Sequence, residues 1–325
     1  MLVANQGAVA GRLVVGVATF HRAGPLAALL PLLLAELDGV ADVLDPPSEL
    51  GLVVVDNDPS GSAEPVVSRV MDARVTYARE TTPGISAARN RILDLAAGAD
   101  LLVFIDDDET PEPGWLRALI ETWRSSGADA VSGPVVSVPD GALDPWVAAG
   151  GFFERSHRDM VPTGAALDRA ATNNLLLHLP AVRRLSLRFD PRFGLSGGED
   201  SLFTRSLVAR GGRIVWCAEA VVLDRLPVDR LTRSYALSRT YGLAHSSTRV
   251  DLALQRGAAG RARGRMRAVV TGVARLAWGA AQGARGVLAR GVEDRARGRR
   301  MMARGRGEIA AALGTVRRSY GGSGG

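Results

Sequence analysis

The sequence predicts an α/β protein with a mainly parallel sheet and helices on both faces, followed by a helical, Arg-rich C-terminal extension. Three observations carry this reading. Short apolar, β-branched runs alternate with helix-spaced segments through the first 110 residues. Three polar clusters, Thr19–Arg22, Asp56–Asp58 and Asp106–Asp108, each stand directly after such a run. In sheets of this kind ligands bind at the carboxyl ends of the strands, so the three clusters mark one edge as the site. After Asp224 the strand-like runs cease, and arginine and glycine become frequent.

Taken in order, Leu13–Ala18 reads as a buried strand and Pro25–Leu37 as the helix after it. Leu52–Val55 is a second strand, ended abruptly by Asp56-Asn57-Asp58-Pro59. Val75–Ala78 is a third, Ser86–Ala97 has helical spacing, and Leu101–Ile105 is a fourth strand running into Asp106-Asp107-Asp108. A helix is expected over Pro113–Thr122, with Glu109 or Thr110 available as its cap. Val131–Val138, Asn174–Leu177 and Arg213–Trp216 are expected strands, and Asp200–Arg210 an expected helix.

Apolar residues make up 46% of the 325 and charged residues 23%, which is ample material for a core. The single cysteine, Cys217, excludes an internal disulfide and a cysteine-rich zinc site, and fits a reducing interior. There is no signal-peptide pattern and no long uncharged apolar stretch, so a cytoplasmic protein without a spanning helix is expected. His21, His157, His178 and His245 show no metal-ligand spacing among themselves, and His178, beside a strand-like run, reads as a core residue. The net charge of +6 is uneven: residues 251–325 hold 16 arginines against four acids, a local +12, which leaves −6 for residues 1–250. All 40 basic residues are arginines, so chemistry that demands a lysine is excluded. A basic tail on an acidic body points to an anionic partner surface.

Asp106-Asp107-Asp108-Glu109 places four adjacent carboxylates beside a buried strand, which costs stability unless a cation compensates. Hard oxygen ligands suit Mg²⁺ or Mn²⁺, and Asp106 and Asp108, two apart, point the same way in an extended segment. Alone, the cluster reads equally as a solvated turn or a helix cap.

Its neighbours make it specific. Val-Gly-Val-Ala-Thr-Phe-His-Arg (15–22), Val-Val-Val-Asp-Asn-Asp-Pro (53–59), Gly-Ile-Ser-Ala-Ala-Arg-Asn (84–90), Phe-Ile-Asp-Asp-Asp-Glu (104–109), Asn-Asn-Leu-Leu-Leu (173–177) and Gly-Gly-Glu-Asp-Ser-Leu-Phe (197–203) occur in one order. Over residues 13–224 the chain resembles the family 2 inverting glycosyltransferases of bacterial cell-surface polysaccharide type, whose GT-A fold is Rossmann-like. The resemblance implies a catalytic domain over 1–225, with nucleotide-sugar binding in its first half and acceptor and base in its second. A helical basic region over 226–325, with a flexible Gly-Gly-Ser-Gly-Gly end, would follow.

The resemblance also implies roles. Asp56 would contact the base or ribose of the donor, with a turn-forming role as the alternative. Ala18, Thr19, Phe20 and Arg22 would floor the pocket, although Arg22 also reads as a surface residue. Gly84 would let the backbone approach the ligand, with Arg89 and Asn90 beside it, Arg89 reaching diphosphate or ribose oxygens or else pairing with an acid. Asp106 and Asp107 would line the donor site, with Asp108 and Asp106 holding Mn²⁺ or Mg²⁺. Asp200 would be the general base, with Glu199 as alternate and helix capping as the competing role. Asn174, Gly197 and Gly198 would face acceptor or donor hydroxyls, and Arg239 would grip phosphate.

In the tail, Met266, Val269, Val270, Val273, Leu276, Ala277, Ala280, Val287 and Leu288 share one helical face, opposite Arg267, Arg275 and Arg285. This predicts an interfacial helix on an anionic membrane, reaching a lipid-linked or cell-envelope acceptor, or else a helix packed on the catalytic domain. Gly272, Gly279, Gly283 and Gly286 weaken the helix, and the absence of interleaved aromatics argues against nucleic acid. Competing readings are a non-catalytic membrane assembly module and a nucleotide-sugar-forming nucleotidyltransferase. The second lacks its glycine-rich loop and lysines here, and a dinucleotide dehydrogenase lacks G-x-G-x-x-G.

Overall fold

The computed structural model describes residues 11–45, 48–154 and 161–317, so His157 and the last five residues lie outside the described part. The chain divides into two units. The first takes the described residues up to Val136, those from 161 through Leu195, and Glu199–Asp224. The second takes Ser137–Glu154, Ser196–Gly198 and the described residues from Arg225 onward.

The first unit opens with β1 (Arg12–Thr19), α1 (Ala23–Asp38), β2 (Glu49–Asp56), the short α2 (Glu64–Val67), β3 (Val75–Arg79), α3 (Ile85–Leu95) and β4 (Leu101–Asp106). It continues through β5 (Glu109–Pro111), α4 (Trp115–Ser126) and β6 (Ala130–Ser132). The chain then runs through β7 (Val135–Pro139) and α5 (Pro145–Ala149) before β8 (Ala166–Leu167), β9 (Asn174–His178) and α6 (Leu179–Arg184). It ends with α7 (Glu199–Ala209), β10 (Ile214–Trp216) and β11 (Val222–Leu226). The main sheet has the order β3-β2-β1-β4-β9-β6-β10-β8. Strands β3, β2, β1 and β4 run parallel, and β9 is antiparallel to both β4 and β6.

Alternation along β1 explains the two-sided core. Leu13, Val15 and Val17 pack with Leu26, Leu29, Leu30 and Leu33 of α1 and with Trp115 and Leu119 of α4. Val14 and Val55 face the opposite side, with Ile92 of α3 and Phe203 and Leu207 of α7. Each such side chain, fully buried, is worth about 1.5–3 kcal/mol, so helices on both faces are needed to hold this sheet.

Three expectations are corrected. The strand expected over Val131–Val138 is two strands in different sheets, separated at Gly133-Pro134, where Pro134 has no N–H to continue the ladder. The helix expected from Pro113 starts at Trp115. Its end is capped from α1, where Glu36 accepts from the Gly114 and Leu116 amides at 2.9 Å each, and Glu109 begins a strand instead. After Asp224 the chain completes β11 before it becomes helical.

The second unit holds α8 (Arg233–Ala253), α9 (Gly257–Leu288) and α10 (Val292–Ala312). Glycine does not interrupt α9, which runs unbroken for 32 residues. Gly272, Gly279 and Gly286 recur every seven residues and are the buried positions of that helix. Gly272 and Gly279 face Gly305 and Gly298 of α10, and Gly286 faces the Arg295 amide, so closely that a Cβ at Gly279 would lie 2.6 Å from the Gly298 carbonyl oxygen. The glycines therefore form a backbone-to-backbone seam, of the kind small residues permit between helices. Arg275 pairs with Glu308 and Arg285 with Asp294 across it. The face opposite the seam is open: Met266, Val270, Val273, Val287 and Leu288 are exposed, as is Trp278 at its margin. No helix among the described residues is long and apolar enough to cross a membrane.

Candidate active site

Strand register assembles the site in the first unit. Thr19, the last residue of β1, pairs with Asp56 of β2, and Ala18 pairs with Asp106 of β4. The three polar clusters therefore do end on one edge. Asp107 is buried there, accepting from Thr19 Oγ1 at 2.6 Å and Arg22 Nη1 at 3.0 Å. Burial pushes its carboxyl up to about 6. Asp108 accepts from the same Arg22 nitrogen at 2.7 Å.

Arg89 of α3 is the hub. Its guanidinium donates to Glu199 at the start of α7 and to Asp106 at 3.2 Å, and lies over the Phe189 ring at 5.8 Å. Burial, the largest influence, lifts the Glu199 carboxyl to about 7 despite Arg89. Glu199 Oε2 is buried without a hydrogen-bond partner. Burial also holds Glu109 well above the carboxylate range, although it accepts from Asn173 Nδ2 at 2.5 Å and the Asp106 amide at 3.2 Å. Asp200 sits in the first turn of α7, half-buried, with Oδ1 accepting from the Ser201 amide at 2.6 Å.

Several expected contacts take other forms. Asp56 is fully buried and organises the turn after β2: it accepts from the amides of Asp58 (3.0 Å) and Ala63 (2.8 Å) and from the Tyr77 hydroxyl (3.2 Å). The expected base contact has no exposed oxygen to use. Asn90 clamps Phe189, donating to its carbonyl at 2.8 Å and accepting from its amide at 2.9 Å. Arg89 spends its donors on acids rather than extending toward diphosphate. Asn174 is a buried core bracket: it accepts from Trp115 Nε1 at 2.9 Å and donates to the Pro134 and Ala220 carbonyls at 3.0 and 2.7 Å.

Gly84 takes φ 115 at the start of α3, where a side chain would collide with Gly194, and its amide donates to Asn57 at 2.8 Å. Asn57, which sequence reasoning passed over, also donates to the Glu80 and Thr82 carbonyls and so joins β2 to the α3 entrance. Phe20 is partly exposed, its ring edge-on to His21. In the second unit, Gly197 and Gly198 have φ of 75 and 94, and Val250 and Ser246 of α8 lie where a Gly198 side chain would go. Arg239, also on α8, lies over the Phe153 ring at 5.7 Å. His178 is half-buried against Trp123. His245 is buried, with Nε2 2.9 Å from the Thr315 carbonyl.

The donor set at β4 suits a hard divalent ion held partly by its substrate. Asp106 and Asp108 keep 40% and 22% of their side-chain surface accessible, against 5% for Asp107, so only the first two can meet an ion. No three His, Cys, Asp or Glu side chains converge among the described residues, so phosphate and water oxygens would have to complete the shell.

Residues 15–176 match the family model for glycosyl transferase family 2. The chain is 34% identical over 199 residues to the succinoglycan biosynthesis protein ExoM of Rhizobium meliloti, covering 60% of this chain and 62% of that one. It is 38% identical over 79 residues to a glucosyl-dolichyl phosphate glucuronosyltransferase of Haloferax volcanii, covering 24% of this chain and 23% of that one. It therefore spans less than two thirds of either relative. Among solved structures, residues 1–349 of S. aureus TarS superpose with a TM-score of 0.52 at 14% identity, covering 94% of this chain and 92% of that one. The same fragment in complex with UDP-GlcNAc gives 0.50 at 14% identity, covering 93% and 92%. With the strand order and motif placement above, these findings establish that the chain belongs to glycosyl transferase family 2 and carries its GT-A fold.

Proposed function

We propose that this protein transfers a sugar, with inversion, from a nucleoside-diphosphate donor to an acceptor hydroxyl in cell-surface polysaccharide or glycolipid synthesis. The observation that carries this reading is the double contact of Arg89, which draws Asp106 of the donor edge and Glu199 of α7 into one cluster. Asp200 is the next residue along that helix. The likeness to ExoM favours a polysaccharide context, and the TarS complex favours a UDP-sugar.

Asp106 and Asp108 would hold Mn²⁺ or Mg²⁺, which supplies neutralisation of the charge that builds on the leaving diphosphate. Asp200 is the base: it takes the acceptor proton as the hydroxyl oxygen bonds to the anomeric carbon and the carbon–phosphate-oxygen bond breaks. Glu199 is less suited, being buried and held by Arg89. The exposed face of α9 and the arginines of the second unit attach the enzyme to an anionic membrane surface, at the inner face of the cell membrane, where a lipid-linked acceptor resides.

The test is a panel of UDP-, GDP- and dTDP-sugars with Mn²⁺, read as free nucleotide released. One donor should turn over, and Asp200→Asn should bind it unchanged while turnover falls at least about 10²-fold. Release from no donor, or full activity in Asp200→Asn, would count against the assignment.

A further inference from the structure

At the end of β4 the place for a cation is already taken by a side chain. Arg22 follows β1, and one nitrogen, Nη1, lies 3.0 Å from Asp107 Oδ1 and 2.7 Å from Asp108 Oδ2. The two carboxylates differ in character. Asp107 is buried and fixed by Thr19 Oγ1, whereas Asp108 is half-buried and partly accessible. Arg22 itself keeps 39% of its side chain accessible, against 7% for Arg89, which is locked between Glu199 and Asp106. Of the two guanidinium groups paired with Asp106–Asp108 among the described residues, only that of Arg22 has room to leave its carboxylate.

We propose that Arg22 is an exchanging counter-ion of the donor site: it neutralises Asp108 while the site is empty and passes to the donor diphosphate when a divalent cation takes Asp108. This rests on the donor-site reading above. A guanidinium and a divalent cation repel each other, so they do not share one carboxylate oxygen. A diphosphate carries enough negative charge for both, and its oxygens match the guanidinium fork. Asp107 stays behind as a tether, keeping the displaced head within reach. Cation and nucleotide binding are coupled as a result. The cation alone has to break the Arg22–Asp108 pair, and with the nucleotide present Arg22 gains a replacement partner. The coupling is reciprocal, as linkage requires.

The experiment is Mn²⁺ titration of the full chain, followed by electron paramagnetic resonance of the free ion, without nucleotide and with saturating UDP. In the wild-type protein UDP should tighten Mn²⁺ binding about tenfold or more, within the usual range of coupling between sites. Arg22→Gln should bind Mn²⁺ about tenfold more tightly than wild type without nucleotide, and UDP should then add less than about threefold. Arg22→Lys keeps the positive charge and should stay near wild type without nucleotide. In an Asp108→Ala background the Arg22→Gln effect should vanish, which a general loosening of the loop would not produce. Equal or weaker nucleotide-free Mn²⁺ binding by Arg22→Gln overturns the exchange, even where UDP still binds. Failure of wild type to bind UDP with Mn²⁺ overturns the donor-site reading and the exchange with it.

Discussion

Replacing Glu199 by glutamine removes a titration from the middle of the site and leaves the side chain's shape. The buried carboxyl sits at about 7 in the folded protein against an ordinary 4.5. A raised acid pKa means the folded state binds more protons than the unfolded state between those values. Its stabilising contribution is complete below pH 4.5 and is lost as pH rises through about 7. The difference of about 2.5 units corresponds to about 3 kcal/mol. Glutamine mimics the protonated acid, still accepts from Arg89, and does not titrate. The assay is urea unfolding of both proteins from about pH 4.5 to about pH 8.5, taken as the stability of Glu199→Gln minus that of wild type. That difference should grow by about 3 kcal/mol toward high pH, most steeply between the two pKa values, at about pH 5.5–6, and level off above about 7. Asp107, raised to about 6, acts with the same sign but is present in both proteins and cancels. A flat difference, or one that falls as pH rises, would refute the reasoning, because it would mean that Arg89 outweighs burial and keeps Glu199 ionised.

Four further outcomes are expected. Asn174→Ala strands the Trp115 indole N–H and two buried carbonyls, so unfolding free energy should drop by about 3 kcal/mol while donor affinity of the folded fraction is unchanged. Gly279→Leu should split the α9–α10 seam and lower the melting temperature followed by circular dichroism. Gly283→Ala, whose Cβ meets nothing, should raise stability by up to about 1 kcal/mol. Full-length protein should co-sediment with anionic vesicles at low salt and less so at high salt, and Val273→Asp on the exposed face should release it without unfolding; equal sedimentation of the two would remove the membrane assignment.

The sheet and its functional edge were legible because burial writes itself into sequence as apolar runs. Leu13–Ala18, Leu52–Val55 and Leu101–Ile105 sit within the observed strands, and the polar residue closing each run is where the chain leaves the core. The partners of individual side chains were not legible. Whether Arg22 or Arg89 meets Asp106 or Asp108 depends on β1–β4 register and on α7 arriving from more than a hundred residues away. Asn174 was expected at the site from the Asn-Asn-Leu-Leu-Leu motif, and its hydrogen bonds to Trp115, Pro134 and Ala220, distant in sequence, are what reveal a bracket. The glycine seam was visible all along in the spacing of seven shared by Gly272, Gly279 and Gly286 and by Gly298 and Gly305. Weighing each glycine by helix propensity alone turned a packing signal into an objection. The same seam turns Arg275 and Arg285 toward acids of α10, so they are not the free cations that the helical wheel suggested.

A pair of helices in water ordinarily hides its leucines and valines between them and shows solvent a polar coat. The α9–α10 pair is built the other way out. Main-chain atoms fill much of its interior, so few large side chains are spent there, and Met266, Val270, Val273, Trp278 and Leu288 are left on the outside. Such an element is at ease in a medium less polar than water. During purification it makes the protein's behaviour depend on what it is dissolved in: concentrated aqueous stocks should self-associate, kosmotropic salt should hasten this, and a mild detergent should reverse it without touching the sheet.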